Sequence, residues 1–481
     1  VAVPTTFPLA PGQQMMWEFM TALDPARPGA ARLVVVEFRR LRGTLRVDVL
    51  RQAMQDVVDR HDALRMRFDR IGVEPEVRIL PHVESPLEYV DLSGLPPAEQ
   101  QARVERIAYA HRNDEFDPGR APLWRAALVR LSETEHVLAL CFFHMVSDGW
   151  SCRVVVEDLC HAYAARLGAA DPQPPLGVDH TALAALQEAE QAGNGVDAAA
   201  RAAYWRDRLR PVEPYQLFPA SPPAPDVALS AEVATRFAFP PEVTARLRPA
   251  ARRARTTPYV LLLAAYLVLL SRRAGRPRVV LGTTTLGRES PLSRQLVGQF
   301  TNNVYLPVAV AADAPMSAVV DAAHASLAEA VAHATAFHRL ARAVRPDFAA
   351  IRPWPDSHLF DAWFQSAASA SPVLHCPGLR VEPVDITARP APGTPPPVVA
   401  ADVPPECLPV WVKRGSPIVV VDDDRAGGVV IRNRGVFGDD LVRGLIDDYV
   451  AVVSALVTDP GTTPAEVHLP DGACFLDHAI G

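Results

Sequence analysis

The chain has 481 residues, of which 49% are hydrophobic and 21% are charged, and its formal net charge is −7. This composition is typical of a folded globular protein, and the length favours two domains. The acidic balance argues against nucleic acid as the main partner, because binding to phosphates requires an excess of cations.

The sequence also argues against secretion and against a membrane protein. The N-terminus lacks the basic, apolar and small-residue pattern of a signal peptide, and the longest apolar run, 259–270, is too short to span a bilayer. The six cysteines form no C-x-x-C pair and do not cluster with histidine, which predicts buried thiols and no metal site. We therefore expect a cytoplasmic protein without a membrane partner.

The first part of the chain alternates strand-like and helix-like segments, judged by the spacing of apolar residues. In chain order these predicted segments are 32–43, 47–65, 77–80, 97–114, 124–131 and 136–144. The second and fourth are helices and the others are strands. A Pro/Gly-rich break at 168–178 ends this part.

The pattern recurs after a helical stretch over 181–209 and a second Pro-rich connector. The predicted segments are a strand at 234–240, helices at 241–252 and 257–272, a strand at 278–284 and an amphipathic helix at 439–460. The Pro-rich segment 388–406 is predicted to be a surface loop. The order of elements predicts an α/β fold with mixed sheets in two lobes, 1–175 and 176–481.

A candidate reactive group lies where the apolar strand 136–144 ends. His144 precedes Asp148-Gly149, a turn signal, and a helical pattern follows from Trp150. Such a junction of strand, loop and helix is a common place for reactive groups in α/β proteins. Because neighbouring residues of a strand point to opposite faces, His144 can face a cleft while Phe143 packs into the core.

The stretch FHMVSDGWS resembles the HHxxxDGWS signature of nonribosomal peptide synthetase condensation domains, which belong to the chloramphenicol-acetyltransferase-like HHxxxDG superfamily. Further segments are similar to the family's other motifs and follow in the same order. They are FPLAPGQQMMW (7–17), RGTLRVDVLRQAMQDVVDRHDALRMRF (42–68), FDPGRAPLWRAALVRL (116–131), YWRDRL (204–209), LGTTTLGRE (281–289) and VGQFTNNVYLP (297–307). The resemblance covers nearly the whole chain.

The resemblance implies two acetyltransferase-like lobes arranged as a V-shaped pseudo-dimer with a central tunnel. It implies that donor and acceptor carrier proteins deliver substrates on phosphopantetheine arms, with no permanently bound cofactor. The implied reaction is acyl transfer by thioester aminolysis, which joins an acyl or peptidyl thioester to an amine and forms a peptide bond.

The resemblance also implies roles for individual residues. His144 matches the catalytic histidine, which acts as a general base or positions the amine. Asp148 matches an aspartate that pairs with an arginine on the other lobe, and Arg288 holds the place of that arginine. Gly149 lets the substrate approach closely, and its backbone N–H can meet the developing oxyanion.

Other positions are implied to line the tunnel or to support the site. The lining residues are Ser147, Trp150, Ser151 and Asn302. Phe143, which replaces the first histidine of the signature, is expected to be structural, as is Arg65 in the second motif.

The departures from the family pattern concentrate in the second half of the chain. Asn303 replaces a threonine, and the late motifs are reduced to ATAFHRL (334–340) and DSHLFDAWF (356–364). These changes suggest an unusual partner or substrate. The retained His144 and Asp148 argue against a decayed domain.

Several alternatives remain open at this point. The same site would make an ester if the nucleophile were a hydroxyl, and the acceptor can also be a free small molecule, as in stand-alone acyltransferases. A rival hypothesis is a non-catalytic domain that binds carrier proteins or recruits a tailoring enzyme. Since the chain shows no adenylation, carrier or thioesterase pattern, we expect either an excised domain or a free-standing enzyme.

Overall fold

The structure is a computed structural model. It describes residues 6–23, 33–69, 75–176, 182, 184–185, 198–209, 232–288, 290–344, 362–366, 372–384, 386, 418–422, 427–433 and 437–471. The predicted surface loop 388–406, most of the predicted helical stretch before residue 198 and the segment 356–361 lie outside these residues.

The strands of the described residues are β1 (Thr6–Pro8), β2 (Val34–Gly43), β3 (Met66–Asp69), β4 (Glu76–Ile79), β5 (Leu87–Asp91), β6 (Trp124–Arg130), β7 (Glu135–Phe143), β8 (Glu232–Ala238), β9 (Arg278–Thr285), β10 (Asn302–Ala309), β11 (Trp363–Ser366), β12 (Leu374–Cys376), β13 (Leu379–Pro383), β14 (Ile418–Asp422) and β15 (Gly427–Asn433). The helices are α1 (Pro11–Leu23), α2 (Val47–Arg60), α3 (Pro97–Asn113), α4 (Gly149–Arg166), α5 (Ala198–Leu209), α6 (Pro241–Arg253), α7 (Pro258–Ala274), α8 (Met316–Ala332), α9 (Phe337–Val344) and α10 (Asp439–Thr458).

These elements form two compact units, neither of which is contiguous in sequence. The first unit comprises Val1–Gln191, Leu286–Thr301 and Ser369–Pro396, and the second comprises Ala192–Thr285, Asn302–Ala368 and Pro397–Gly481. The lobes predicted from the sequence, 1–175 and 176–481, were contiguous. The observed units differ from these predicted lobes because two segments from the second half of the chain, Leu286–Thr301 and Ser369–Pro396, make their contacts with the first unit.

The first unit contains a six-stranded sheet with the order β12-β13-β2-β7-β6-β5 and a small sheet with the order β1-β4-β3. In the large sheet β5 and β6 are parallel, and the remaining neighbours are antiparallel. β7 is buried along almost its whole length, as expected for a continuous apolar run in the middle of a sheet. This strand ends directly before His144.

The second unit contains a six-stranded sheet with the order β10-β9-β11-β14-β15-β8. β11 lies parallel to both of its neighbours, and the other pairs are antiparallel. The fold class predicted from the sequence, α/β with mixed sheets, is therefore confirmed.

α7 is the predicted buried, capped helix of the second unit. The Thr257 hydroxyl accepts a hydrogen bond from the backbone N–H of Val260, Pro258 takes the first helical position, and Gly275 ends the helix at φ +60°. Nearly every residue of α7 is buried. α10 buries the predicted apolar face, including Leu445 and Tyr449.

Within the described part of the chain, no single helix is long and apolar enough to cross a membrane, and only the bent pair α6 and α7 would meet that test jointly by length and composition. The same residues contain no group of three or more His, Cys, Asp or Glu side chains arranged to hold a metal ion.

Candidate active site

His144 is the first residue after β7, and its position is fixed by backbone and side-chain hydrogen bonds. Its backbone N–H donates to the Leu33 carbonyl oxygen at 2.9 Å. Its Nδ1 lies 2.9 Å from the carbonyl oxygen of Ser147. Because a carbonyl oxygen only accepts hydrogen bonds, Nδ1 must carry the proton of the neutral ring, which makes Nε2 a proton acceptor.

The turn after His144 is attached to α1. The backbone N–H of Val146 donates to the Phe143 carbonyl oxygen at 3.0 Å and closes the turn. The Gln13 side-chain amide donates to the Met145 carbonyl oxygen at 3.3 Å, while its oxygen accepts from the backbone N–H of Ala10. Sequence reasoning did not identify Gln13, although a glutamine at the start of an apolar helix was the available signal.

Asp148 is the N-cap residue of α4. Its Oδ1 accepts hydrogen bonds from the backbone N–H and the hydroxyl of Ser151, both at 2.8 Å. A carboxylate at this position satisfies an otherwise unpaired helix N–H group and interacts favourably with the helix dipole. The cap thus defines where α4 begins, at Gly149.

Asp148 also forms a fully buried ion pair with Arg288. Nη2 of Arg288 lies 2.9 Å from Oδ1 and 3.0 Å from Oδ2 of Asp148, and both side chains have 0% exposure. The backbone N–H of Phe300 donates to Oδ2 at 3.1 Å. Since all of these neighbours donate to the carboxylate, Asp148 is arranged to pair with a cation and not to transfer a proton.

Arg288 connects the Asp148 carboxylate to the segment that follows Arg288 in the chain. Its Nη1 donates to the carbonyl oxygens of Leu296, at 2.7 Å, and of Ser293. The guanidinium also stacks on the Phe300 ring, with 4.0 Å between Cζ and the ring centroid. The sequence predicted a pair between two lobes, whereas Asp148 and Arg288 both lie in the first unit.

Two glycines are needed where the segment Leu286–Thr301 folds closely against itself and against α1. Gly287 has φ +60°, and a Cβ there would lie 2.1 Å from the Phe300 carbonyl oxygen. A Cβ on Gly12 would lie 2.2 Å from the carbonyl oxygen of Gln299. Larger residues at either position would displace the segment that contains Arg288.

Phe143 is completely buried in the core of the first unit. Its ring centroid lies 5.7 Å from that of Phe116, and the Arg125 guanidinium lies 3.7 Å from the centroid of Phe116 on its face. Phe143, which replaces the first histidine of the signature, is therefore an aromatic side chain packed in the core, as the sequence predicted.

Of the four residues predicted to line a tunnel, Trp150 stays partly exposed, and its indole N–H donates to the Arg294 carbonyl oxygen at 2.9 Å. Ser147, Ser151 and Asn302 are buried instead. Ser147 Oγ donates to the Asp148 carbonyl oxygen at 3.2 Å, and Asn302 Nδ2 donates to the Thr335 carbonyl oxygen at 2.7 Å within the second unit. The polar atoms of these three side chains bind other parts of the protein, and their predicted place along a tunnel stays a prediction.

Ser151 has more hydrogen-bond partners than Ser147 or Asn302. Its hydroxyl donates to Asp148 Oδ1 at 2.8 Å and lies 2.9 Å from the Gly298 carbonyl oxygen. Ser151 Oγ also accepts hydrogen bonds from the backbone N–H of Gly298 at 3.0 Å and from Arg288 Nη2 at 2.9 Å. This contact joins the first turn of α4 to the segment that contains Arg288.

Arg65, the other predicted supporting residue, stabilises a neighbouring turn. Nη1 donates to the Leu80 carbonyl oxygen and Nη2 to Asp62 Oδ1, both at 2.7 Å. It thereby connects the 3-10 turn Asp62–Arg65 to the end of β4.

A second polar cluster, which the sequence did not predict, lies on α4 around Asp158. Its carboxylate accepts from His61 Nε2 at 2.8 Å, from Arg60 Nε at 2.9 Å and from the Gln173 amide at 2.8 Å. Burial alone would raise the pKa of Asp158, but the hydrogen bond with His61 and the nearby charges lower it.

Comparison with known proteins adds to this geometry. The condensation domain family model matches residues 3–361. Phosphinothricin tripeptide synthetase PhsB of Streptomyces viridochromogenes is 34% identical over 343 residues, which are 71% of this chain and 28% of that protein. The chain therefore spans less than a third of the length of this relative.

Solved structures show the same fold over almost the whole chain. SgcC5 of Streptomyces globisporus superposes with a TM-score of 0.75 at 25% identity, over 95% of this chain and 100% of SgcC5. The X-domain from teicoplanin biosynthesis superposes with a TM-score of 0.74 at 22% identity, over 97% of this chain and 98% of that one.

Proposed function

Because the chain belongs to the condensation domain family, we propose that it joins an acyl or peptidyl thioester on a carrier protein to an amine acceptor and so forms an amide bond. The phosphopantetheine arm that presents the thioester would come with the carrier protein. The observation that supports this function most directly is the orientation of His144, described above.

His144 is suited to bind the acceptor amine. Since Nδ1 donates to the Ser147 carbonyl oxygen, Nε2 of the neutral ring has the lone pair that an amine N–H requires. The amine nitrogen then attacks the thioester carbonyl carbon, the C–S bond breaks, and the phosphopantetheine thiol leaves with one proton. The amine loses that proton, and Nε2 is positioned to accept it or to orient the nitrogen during attack.

The residues after His144 support this geometry in two ways. Gly149 opens α4, where backbone N–H groups favour a developing negative charge such as the carbonyl oxygen of the tetrahedral intermediate. The buried pair of Asp148 and Arg288 fixes the start of the helix relative to His144. In this mechanism Asp148 and Arg288 position other groups and do not touch the substrate.

The test is amide formation between loaded carrier proteins, followed by intact-protein mass spectrometry. A panel of donors with acyl-phosphopantetheine and acceptors with aminoacyl-phosphopantetheine would be combined with wild type and His144→Ala. We expect product with wild type and at least a roughly tenfold lower rate with the variant, equivalent to about 1.4 kcal/mol of barrier.

A matched control is His161→Ala. His161 lies on α4 and also bonds a backbone carbonyl oxygen, that of Asp171 at 2.7 Å, but it is far along the helix from Gly149. This variant should retain the wild-type rate. Equal rates for wild type and His144→Ala would overturn the proposed role of His144.

A hydroxyl acceptor, which would give an ester, is the second candidate. SgcC5, at 25% identity, was solved in complex with a naphthyl 1,2-ethanediol, a molecule with two hydroxyl groups. The same assay with hydroxyacyl carriers and with free amines or diols separates these acceptors by product mass.

The non-catalytic alternative was motivated by Phe143. That side chain is buried against Phe116 in the core of the first unit. Carrier binding without product from any loaded pair would nevertheless favour a docking domain over an enzyme.

A further inference from the structure

Two cysteines of the first unit lie side by side, away from the candidate active site. Cys160 is on α4 and Cys376 ends β12, an edge strand that packs against this helix. Along β12 the exposed His375 alternates with Leu374 and Cys376, whose side chains turn inward. Cys160 packs against the same core cluster to which Cys376 belongs.

Both residues are free thiols, and their side chains lie near enough to influence each other's ionisation. The hydrogen bond from Cys160 lowers the pKa of Cys376, although burial opposes this. The same hydrogen bond and burial raise the pKa of Cys160. When one of the two thiols loses its proton, the thiolate is therefore favoured on Cys376.

A buried arginine adds positive charge next to this pair. Arg39 on β2 acts on Cys160 through its charge and lowers the pKa of that thiol, against the larger effects of the hydrogen bond and burial. The guanidinium is fixed in place, because Nε lies 2.6 Å from Glu37 Oε1 and Nη1 donates to the Pro372 carbonyl oxygen at 2.9 Å. Nearby cations are typical of reactive cysteines.

The other two described cysteines have different surroundings. Cys141 on β7 is fully buried, and its thiol donates to the His111 carbonyl oxygen at 2.9 Å. Burial raises the pKa of Cys141 to about 12 and raises that of Cys152 well above its usual value. Cys160 in contrast keeps partial exposure to solvent, which gives a small oxidant a route to the pair.

We propose that Cys160 and Cys376 are an oxidisable dithiol that forms a disulfide on reaction with a small hydroperoxide such as hydrogen peroxide. The Cys376 thiolate attacks one peroxide oxygen, the O–O bond breaks, hydroxide leaves, and Cys376 becomes a sulfenic acid. The Cys160 sulfur then attacks the Cys376 sulfur, the S–O bond breaks, and water leaves with the Cys160 proton. The two sulfurs are oxidised and the peroxide is reduced to hydroxide and water.

The disulfide would attach the segment 372–384 covalently to α4. That segment joins the first unit through β13, which pairs with β2. α4 begins at the Asp148 cap, so the same helix connects the cross-link to the site. Because the bond closes a loop of more than 200 residues, it should raise the thermal unfolding midpoint, and reduction with dithiothreitol should reverse the rise.

The experiment treats the full chain with hydrogen peroxide, blocks remaining thiols with an alkylating reagent and maps tryptic peptides without reduction. We expect the peptide 154–166, which contains Cys160, to be joined to the peptide that contains Cys376 and ends at Arg380. Cys141 and Cys152 should be recovered as thiols that react with the alkylating reagent only after unfolding.

The matched variant is Cys160→Ala, which removes the resolving thiol. In this variant we expect Cys376 to stop at the sulfenic acid, which a dimedone reagent labels. The wild-type peptide map needs no variant, so the proposal stays testable if Cys160→Ala does not fold. The proposal is wrong if peroxide leaves both thiols free in folded wild type, or if Cys376 pairs with another cysteine.

Discussion

Each unit of the protein contains a buried ion pair between an arginine and an aspartate, and the two pairs have different surroundings. In the first unit Arg288 binds Asp148, and both side chains have 0% exposure. In the second unit Arg273 binds Asp448 at 2.7 Å, with exposures of 2% and 0%. Arg273 also lies 2.6 Å from Asp471, whose side chain is 38% exposed.

The difference lies in what each pair connects. Asp448 is in the middle of α10 and Arg273 is near the end of α7, so this pair connects two helices of a packed core. Asp148 caps a helix four residues after His144, and its partner Arg288 lies shortly after β9, outside any helix or strand. In the proposed mechanism the pair in the first unit also positions His144, whereas the pair in the second unit serves packing alone.

We expect the largest loss of stability for Asp148→Asn. The asparagine oxygen can still cap α4, but the positive charge of Arg288 is left buried without its counter-ion. We expect a loss of about 3–5 kcal/mol in the free energy of unfolding, measured with urea. The amide-forming rate per folded molecule should fall as well. An unchanged rate would show that the pair in the first unit serves stability only.

Asp448→Asn is the matched change in the second unit. Because Asp471 remains as a partner of Arg273, we expect a smaller loss, about 2–3 kcal/mol of unfolding free energy. The rate per folded molecule should equal that of wild type. A rate loss comparable to that of Asp148→Asn would break the distinction between the two pairs.

Ser151→Ala tests the link between the Asp148 cap and the segment that contains Arg288. The change removes a buried hydroxyl and leaves the Gly298 backbone groups without that partner, which should destabilise the protein by about 1–2 kcal/mol in urea unfolding. Ser147→Ala is the control. Its hydroxyl donates to the Asp148 carbonyl oxygen at 3.2 Å and does not contact the Gly298 backbone, and we expect a smaller loss. Equal losses for both variants would contradict the network described for Ser151.

We expect the smallest change in stability for Asp158, and this change depends on pH. The pKa of Asp158 is lower in the folded state, so its contribution to stability is present above the unfolded pKa, about 3.9, and is lost as the pH falls through the folded pKa. Asp158→Asn should therefore be less stable than wild type at pH 7. The difference should shrink on acidification. Parallel urea midpoints at all pH values would rule out this contribution.

Local patterns in the sequence predicted the elements around His144. The apolar run 136–144 predicted β7, and Thr257 and Pro258 predicted the start of α7. Phe143 is buried as predicted, but both faces of β7 are buried, so this does not test the strand alternation. These features depend on neighbouring residues, so a single sequence contains the required information.

Features that depend on distant contacts were not predicted. β12 and β13 complete the sheet of the first unit although they lie far along the chain, and no local pattern indicates this pairing. The burial of Ser151 depends on Gly298, and the surroundings of Cys160 depend on Cys376. Short polar and thiol side chains have no periodicity that reveals such partners.

The order of synthesis gives the pairing of β13 with β2 a further consequence. Gly43 of β2 pairs with Leu379 of β13, so 336 residues separate the two partners. At usual elongation rates the ribosome needs roughly 20–70 s to cover that distance. Until then β2 has an unpaired edge on the nascent chain, and unpaired edges invite association with other chains. We therefore expect chaperone binding during translation to concentrate on ribosomes that have passed β7 but not yet reached β13.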